Sequence, residues 1–141
     1  MTYKKALLQE IKSLNSDEYM SQEQIESFRT FLRAELAEIN GIELNAIKEL
    51  GDEETKCADE ITLASNNADR AIRTIRASDL ANKKKQINNA FIAMRNDEFG
   101  YCQKCGAEIG MERMLINPAT TLDADCATLE EIKEKQRFNK R

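Results

Sequence analysis

The sequence predicts a mainly α protein, a long antiparallel coiled-coil hairpin on a small globular part, closed by a cysteine-bearing carboxyl-terminal module and a last helix. Three observations predict it. Two long apolar stripes at helical spacing flank a polar break at 51–60. Only 6% of the 141 residues are aromatic and none is Trp, which disfavours a large globular core. After Gly100 the texture changes to a short cysteine-rich segment. Periodicity alone fits an ordinary four-helix bundle better than a free hairpin; the carboxyl-terminal segment tips the balance.

Residues 1–20 read as an amino-terminal segment packing on the globular part. Ser21 to Gln24, SQEQ, is a capping-box pattern with Ser21 as N-cap, and Met20 and Ile25 have staple spacing. From there Ile25, Phe28, Leu32, Leu36, Ile39, Ile47 and Leu50 keep steps of three and four, with Gly41 the interior weak point. The GDEETKCADE stretch places a turn, and with it a hairpin tip at 51–64. A second helix follows from about Ile61 to Asp97, with Ala64, Ala68, Ile72, Ile75, Leu80, Ile87, Phe91 and Met94 on one stripe. At ~1.5 Å per residue such a helix is on the order of 50 Å long. The hairpin thus spans 21–98 and the last module 99–141, with a closing helix capped near Thr128.

Charge and composition exclude several classes of function. A formal net charge of -4 and a pI near 5.1 remove the general attraction to nucleic acid, so a protein partner is favoured over direct DNA binding. No segment has the length and apolarity of a membrane span or an export signal, which predicts a cytoplasmic protein with no membrane partner. There is no His, so imidazole chemistry is excluded. Without a phosphate loop or a nucleophile elbow either, the chain reads as a non-enzyme.

The four cysteines of a chain without a secretion signal read as thiols or metal ligands. Cys102 and Cys105, followed by Gly106, form a knuckle in which two thiolates address one metal and glycine permits the turn. A second pair is expected some 15–20 residues on. There the sequence reads DADC, with Cys126 present and Asp123 where the other thiol would stand. Zinc accepts a carboxylate, so Cys102, Cys105, Asp123 and Cys126 form a candidate zinc site with one weaker donor, and the segment is zinc-finger-like. Asp125 is the alternative oxygen donor, though spacing favours Asp123. Two states stay open: a weakly held, labile zinc, or a module without metal, held by Ile109, Met114, Leu115, Leu122, Leu129 and Ile132. Cys57, at the proposed turn, lies a whole helix away from the knuckle and reads as a small packing residue.

EFGYCQKCGAEIGMERM followed by NPATTLDADCATLEEIKEKQ resembles the zinc-finger region of the DksA/TraR family, and DEYMSQEQIESFRTFLRAEL resembles the entry to that family's coiled coil. The likeness covers nearly all the chain after Asp17. It implies a transcription regulator that inserts its coiled coil into the secondary channel of RNA polymerase, acts as a monomer, and contacts no DNA. It implies an effect on open complexes at ribosomal RNA and amino-acid biosynthesis promoters. The family's DxxDxA tip motif falls on Asp59, Thr62 and Ala64, so the second acid is replaced by a hydroxyl. Basic positions that bind guanosine tetraphosphate in the family are Gln86, Asn117 and Ala127 here, which implies reduced synergy with that nucleotide. Arg113 aligns with a retained family arginine; an exposed surface charge is the alternative. Two other functions compete: a Gre-like cleavage or elongation factor, which needs a metal-recruiting acid pair at the tip, and a zinc-finger or coiled-coil adaptor, which needs self-association through Ala68, Ile72 and Ile75.

Overall fold

A computed structural model describes residues 2–14, 19–53 and 60–139; the side chains of 2–4, 50–53 and 60–66 fall outside the description. Five helices follow one another: α1 (Thr2–Ser13), α2 (Gln22–Glu53), α3 (Glu60–Arg95), α4 (Met111–Ile116) and α5 (Ala124–Asn139). Among the described residues the one extended feature is an antiparallel bridge between Tyr101 and Glu108.

The start of α2 is set by the box its sequence spells. Ser21 N–H donates to Gln24 Oε1 at 3.1 Å, and Gln24 N–H donates to Ser21 Oγ at 3.4 Å. Both orphan donors of the helix start are therefore satisfied reciprocally. Gln24 is itself buried, and its Nε2 donates to the Leu14 carbonyl at 2.9 Å, so one amide ties the end of α1 to the start of α2. At the other end, α3 stops at Arg95, two residues before the expected Asp97, for a local reason. Asp97 takes a left-handed conformation at φ 58, and the Glu98 N–H returns to the Ala93 carbonyl at 2.9 Å. That is the Schellman arrangement, with Asp in the place glycine usually fills.

The residues divide into two compact units. The first comprises 1–32 and 86–141. Its core is Ile11 from α1, Phe28 and Leu32 from α2, Ile87 from α3, and Ile109 and Met114, each with less than 2% of its surface exposed. The Phe28 and Phe99 rings pack at 5.5 Å between centroids. Apolar burial here follows the stripes seen in the sequence, since three- and four-residue steps put Phe28 and Leu32 on one face.

The second unit, 33–85, holds the remaining lengths of α2 and α3 as antiparallel arms. Lys83 Nζ meets Glu35 Oε1 at 3.0 Å and Lys84 Nζ meets Glu43 Oε2 at 2.9 Å, joining the early part of one arm to the late part of the other. Surface pairs of this kind contribute about 0–1 kcal/mol each, so they mark register more than they hold it. Ile39 is buried, but Ile42, Ile47, Ile72 and Ile75 are 46%, 66%, 48% and 62% exposed. Two helices alone cover each other on one side only, and the apolar stripe is wider than that seam.

Helix α2 ends at Glu53 and α3 begins at Glu60, and the turn expected within 51–60 falls on residues 54–59, outside the described residues. Asp59 and Cys57 lie outside the described residues; Thr62 and Ala64 are within α3, their side chains outside the description. Helix α4 is an element that the sequence pattern does not place, and the last helix, expected to be capped near Thr128, begins at Ala124.

Candidate metal centre

The knuckle is built by a tight ribbon around residues 100–109. Cys102 N–H donates to the Ala107 carbonyl at 2.8 Å, Gly106 N–H returns to the Cys102 carbonyl at 2.8 Å, and Ile109 N–H donates to the Gly100 carbonyl at 2.7 Å. Gly106 sits at φ 73, a conformation that costs a residue with a Cβ, so the CxxCG pattern has a backbone reason. Cys102 is buried and Cys105 exposed.

The second limb arrives through a loop held at its carbonyls. Gln103 N–H donates to the Thr121 carbonyl at 3.0 Å, linking the knuckle to it. The Leu122 carbonyl accepts both Arg113 Nε–H at 3.0 Å and the Thr120 hydroxyl at 3.2 Å. Arg113 is thus a clamp on the residue before Asp123 and not a free surface charge. Asp123 then caps α5: its Oδ1 accepts the Cys126 N–H at 2.8 Å, which is why the helix starts earlier than a cap at Thr128 would place it. The ion pair between Lys104 and Glu130 joins the knuckle to the first turns of α5.

These elements bring Cys102, Cys105, Asp123 and Cys126 together, with one ligand atom from each lying within 4.8 Å of the others. Cys102 Sγ is 3.6 Å from Asp123 Oδ1 and Cys105 Sγ 3.5 Å from Oδ2. Ligand atoms around a tetrahedral zinc with bonds of ~2.3 Å are roughly 3.8 Å apart, so the cluster has the right size and donor types for that ion. Asp125, exposed on α5, is not in the group.

The four groups hold their protons unequally. Burial pushes the Cys102 thiol up, but backbone N–H groups of Asp123, Cys105 and Lys104 outweigh it and bring it down to about 7. Cys126 is pushed up to about 12, first by its hydrogen bond with Asp123 and then by burial and the other thiols. Asp123 is held below the usual carboxylate value by the same Cys126 side chain and by its N–H. For Cys105 the Ala107 backbone lowers the thiol, and the Cys102 thiol together with lost solvent leaves it raised.

A residue with no signature in the sequence braces the centre from behind. The Tyr19 hydroxyl donates to the Gly100 carbonyl at 2.7 Å and lies against the Ile109 carbonyl, while its ring meets Tyr101 edge-on at 5.6 Å. Gly100 sits at φ 89, and a Cβ there would come within 2.6 Å of Met20 Cγ. Tyr19→Phe is expected to cost about 1–2 kcal/mol of stability, the worth of a part-buried hydrogen bond whose acceptors lose their donor. Burial, then Glu108 and Tyr101, push the Tyr19 hydroxyl from 10.0 up to about 12. A raised value favours the folded state while the unfolded tyrosine is also protonated, so this contribution is complete below pH 10 and is lost as pH rises through 12. Urea midpoints across that window should fall more steeply for the wild type than for Tyr19→Phe.

Gln86 and Asn117 are exposed and Ala127 half-buried, so none of these three offers a cation. No helix among the described residues is long and apolar enough to cross a membrane.

Residues 97–131 match the family model described as the prokaryotic dksA/traR C4-type zinc finger, a span that contains Cys102, Cys105, Asp123 and Cys126. The chain is 36% identical over 121 residues to the RNA polymerase-binding transcription factor DksA of Haemophilus influenzae, covering 85% of this chain and 83% of that protein. It is 31% identical to the protein of the same name in Escherichia coli, over 85% of this chain and 80% of the relative. Among solved structures it is similar to the transcription factor DksA2 of Pseudomonas aeruginosa, with a TM-score of 0.74 and 25% identity over 94% of this chain and 98% of the other. A likeness at this identity that runs through helices, knuckle and last helix alike means that the chain belongs to the DksA/TraR family.

Proposed function

We propose that the protein is a non-enzymatic transcription regulator that binds RNA polymerase and modulates promoter open complexes. The observation that carries this reading is the likeness over 85% of the chain to relatives named for binding RNA polymerase. In this reading 1–20 packs on the globular part, 21–98 is the coiled-coil hairpin with its tip near 51–64, and 99–141 is the finger with its closing helix. The hairpin enters the secondary channel as a monomer. Asp59, Thr62 and Ala64 meet the polymerase there, Asp59 supplying the charge and Thr62 a hydroxyl. Cys102, Cys105, Asp123 and Cys126 hold zinc, and Arg113 steadies the loop that carries Asp123. Zinc bound there supplies a rigid crosslink between knuckle and α5.

Net charge supports a protein partner: at -4 the chain has no general attraction for DNA. Gln86, Asn117 and Ala127 offer no cationic partner for phosphate, which supports weak guanosine tetraphosphate synergy in a cytoplasmic regulator. The test is the lifetime of open complexes at a ribosomal RNA promoter with purified polymerase, for wild type and Asp59→Asn, with and without the nucleotide. The wild type is expected to shorten the lifetime, Asp59→Asn to do so several-fold less, at about the 1–3 kcal/mol of one charged contact, and the nucleotide to add little. No effect of the wild type on the lifetime, or accelerated cleavage of transcripts in stalled complexes, would count against the reading.

A further inference from the structure

Asp123 stands where a fourth thiolate would complete the cluster, yet its carboxylate already has other work. Oδ1 accepts the Cys126 N–H at 2.8 Å, and the Asp123 carbonyl accepts the Ala127 N–H at 3.0 Å. The thiols of Cys102 and Cys105 approach the two carboxylate oxygens at 3.6 and 3.5 Å, so the cluster is internally bonded around this one side chain. The helix that starts after Asp123 needs such an anchor. Helix α5 has no buried residue, and Leu129 and Ile132, expected among the packing of this module, are 55% and 45% exposed. A 16-residue helix without a packed face is marginal in water, so its start matters more than its sides.

We infer that Asp123 has a second function beside offering an oxygen to a metal: it caps α5 so that the helix keeps its first turn when the metal leaves. Carboxylates are among the strongest N-caps, whereas a thiol is a weak acceptor. With cysteine at 123, the start of α5 would be organised by the metal, and losing the ion would mean losing the turn, as in small domains whose folding is metal binding. With aspartate, the folding of α5 and occupancy of the site are separated. The metal becomes an exchangeable occupant of a preformed site. A carboxylate has two oxygens, so Asp123 can address a metal with one and keep the cap with the other.

The experiment is hydrogen exchange at the Cys126 and Ala127 amides in the full chain, zinc-loaded and chelator-stripped, alongside zinc affinity from competition with a chromogenic chelator. Stripping the wild type is expected to speed exchange at these amides by less than about threefold. Asp123→Cys should bind zinc about tenfold tighter or more, but its stripped form should exchange about five- to tenfold faster, the worth of a lost cap. Asp123→Asn keeps a good cap and loses the anionic donor, so protection should survive stripping while zinc affinity falls. The inference is overturned if stripped wild type loses as much protection as stripped Asp123→Cys, or if stripped Asp123→Ala is as protected as wild type. The comparison of loaded and stripped wild type needs no variant: exchange sped by about tenfold or more on stripping overturns the inference by itself. Binding to polymerase does not enter any of these readouts.

Discussion

Replacing Phe28 with alanine is expected to remove roughly 3–5 kcal/mol of stability, the range for truncating a large aromatic in a closed core. Phe28 is wholly buried, its ring packs on Phe99, and it stands on α2 in the same unit as Ile11, Ile87, Ile109 and Met114. A cavity there borders the Phe99 ring, and a close-packed interior relaxes only partly into the space left behind. Domains of this kind have about 5–15 kcal/mol in total, so the variant should lose a large share of its stability. Urea unfolding followed by circular dichroism checks it: the midpoint should drop by more than any surface change achieves, with the slope unchanged.

The second large effect concerns the metal. Cys102→Ser is expected to lower zinc affinity beyond the ~10–100-fold that comes from disturbing a group that merely supports a ligand. Cys102 is the buried thiol of the cluster and the one that loses its proton most easily, at about 7, so it is the donor best prepared for a cation. Cys126, at about 12, remains a thiol at neutral pH, and a metal must displace its proton. Affinity therefore weakens as pH falls, by roughly tenfold per unit for each proton displaced from Cys126 and from Cys105, whose thiol is also raised, and more steeply below 7, where Cys102 is protonated as well. Equilibrium competition between pH 8 and pH 6 in wild type should show that steepening; in Cys102→Ser it should be absent. A flat profile in the wild type would show that the metal displaces no proton from these thiols.

Much of the fold is legible in the sequence, and for identifiable reasons. Ser21 and Gln24 spell their own hydrogen bonds, Phe28 and Leu32 repeat at helical steps, and glycine after CxxC announces a left-handed turn. The grouping of Cys102, Cys105, Asp123 and Cys126 is legible because metal ligation leaves few residue types and spacings. The start of α5 is less so: an aspartate with ligand spacing hides the same aspartate with N-cap spacing, and Thr128 draws the eye instead. Helix α4 escapes because six residues are too few for a period to show. Tyr19 escapes altogether, since a hydroxyl reaching carbonyls some eighty residues away leaves no local pattern. Arg113 reads equally as a surface charge until the Leu122 carbonyl is seen beside it.

The amide of Gln24 constrains which shortened forms of this chain can exist. It is buried, it closes the capping box through its oxygen, and its nitrogen has its partner on the last carbonyl beyond α1. A chain that dispensed with α1 would orphan that nitrogen, at about 1–3 kcal/mol if it stayed buried, and would bare the apolar surface that Leu7 and Ile11 cover. Position 24 and the leading helix are therefore coupled: in a miniature that begins near Ser21, the fourth residue has to find water or another acceptor for its amide, or give way to a residue that needs none.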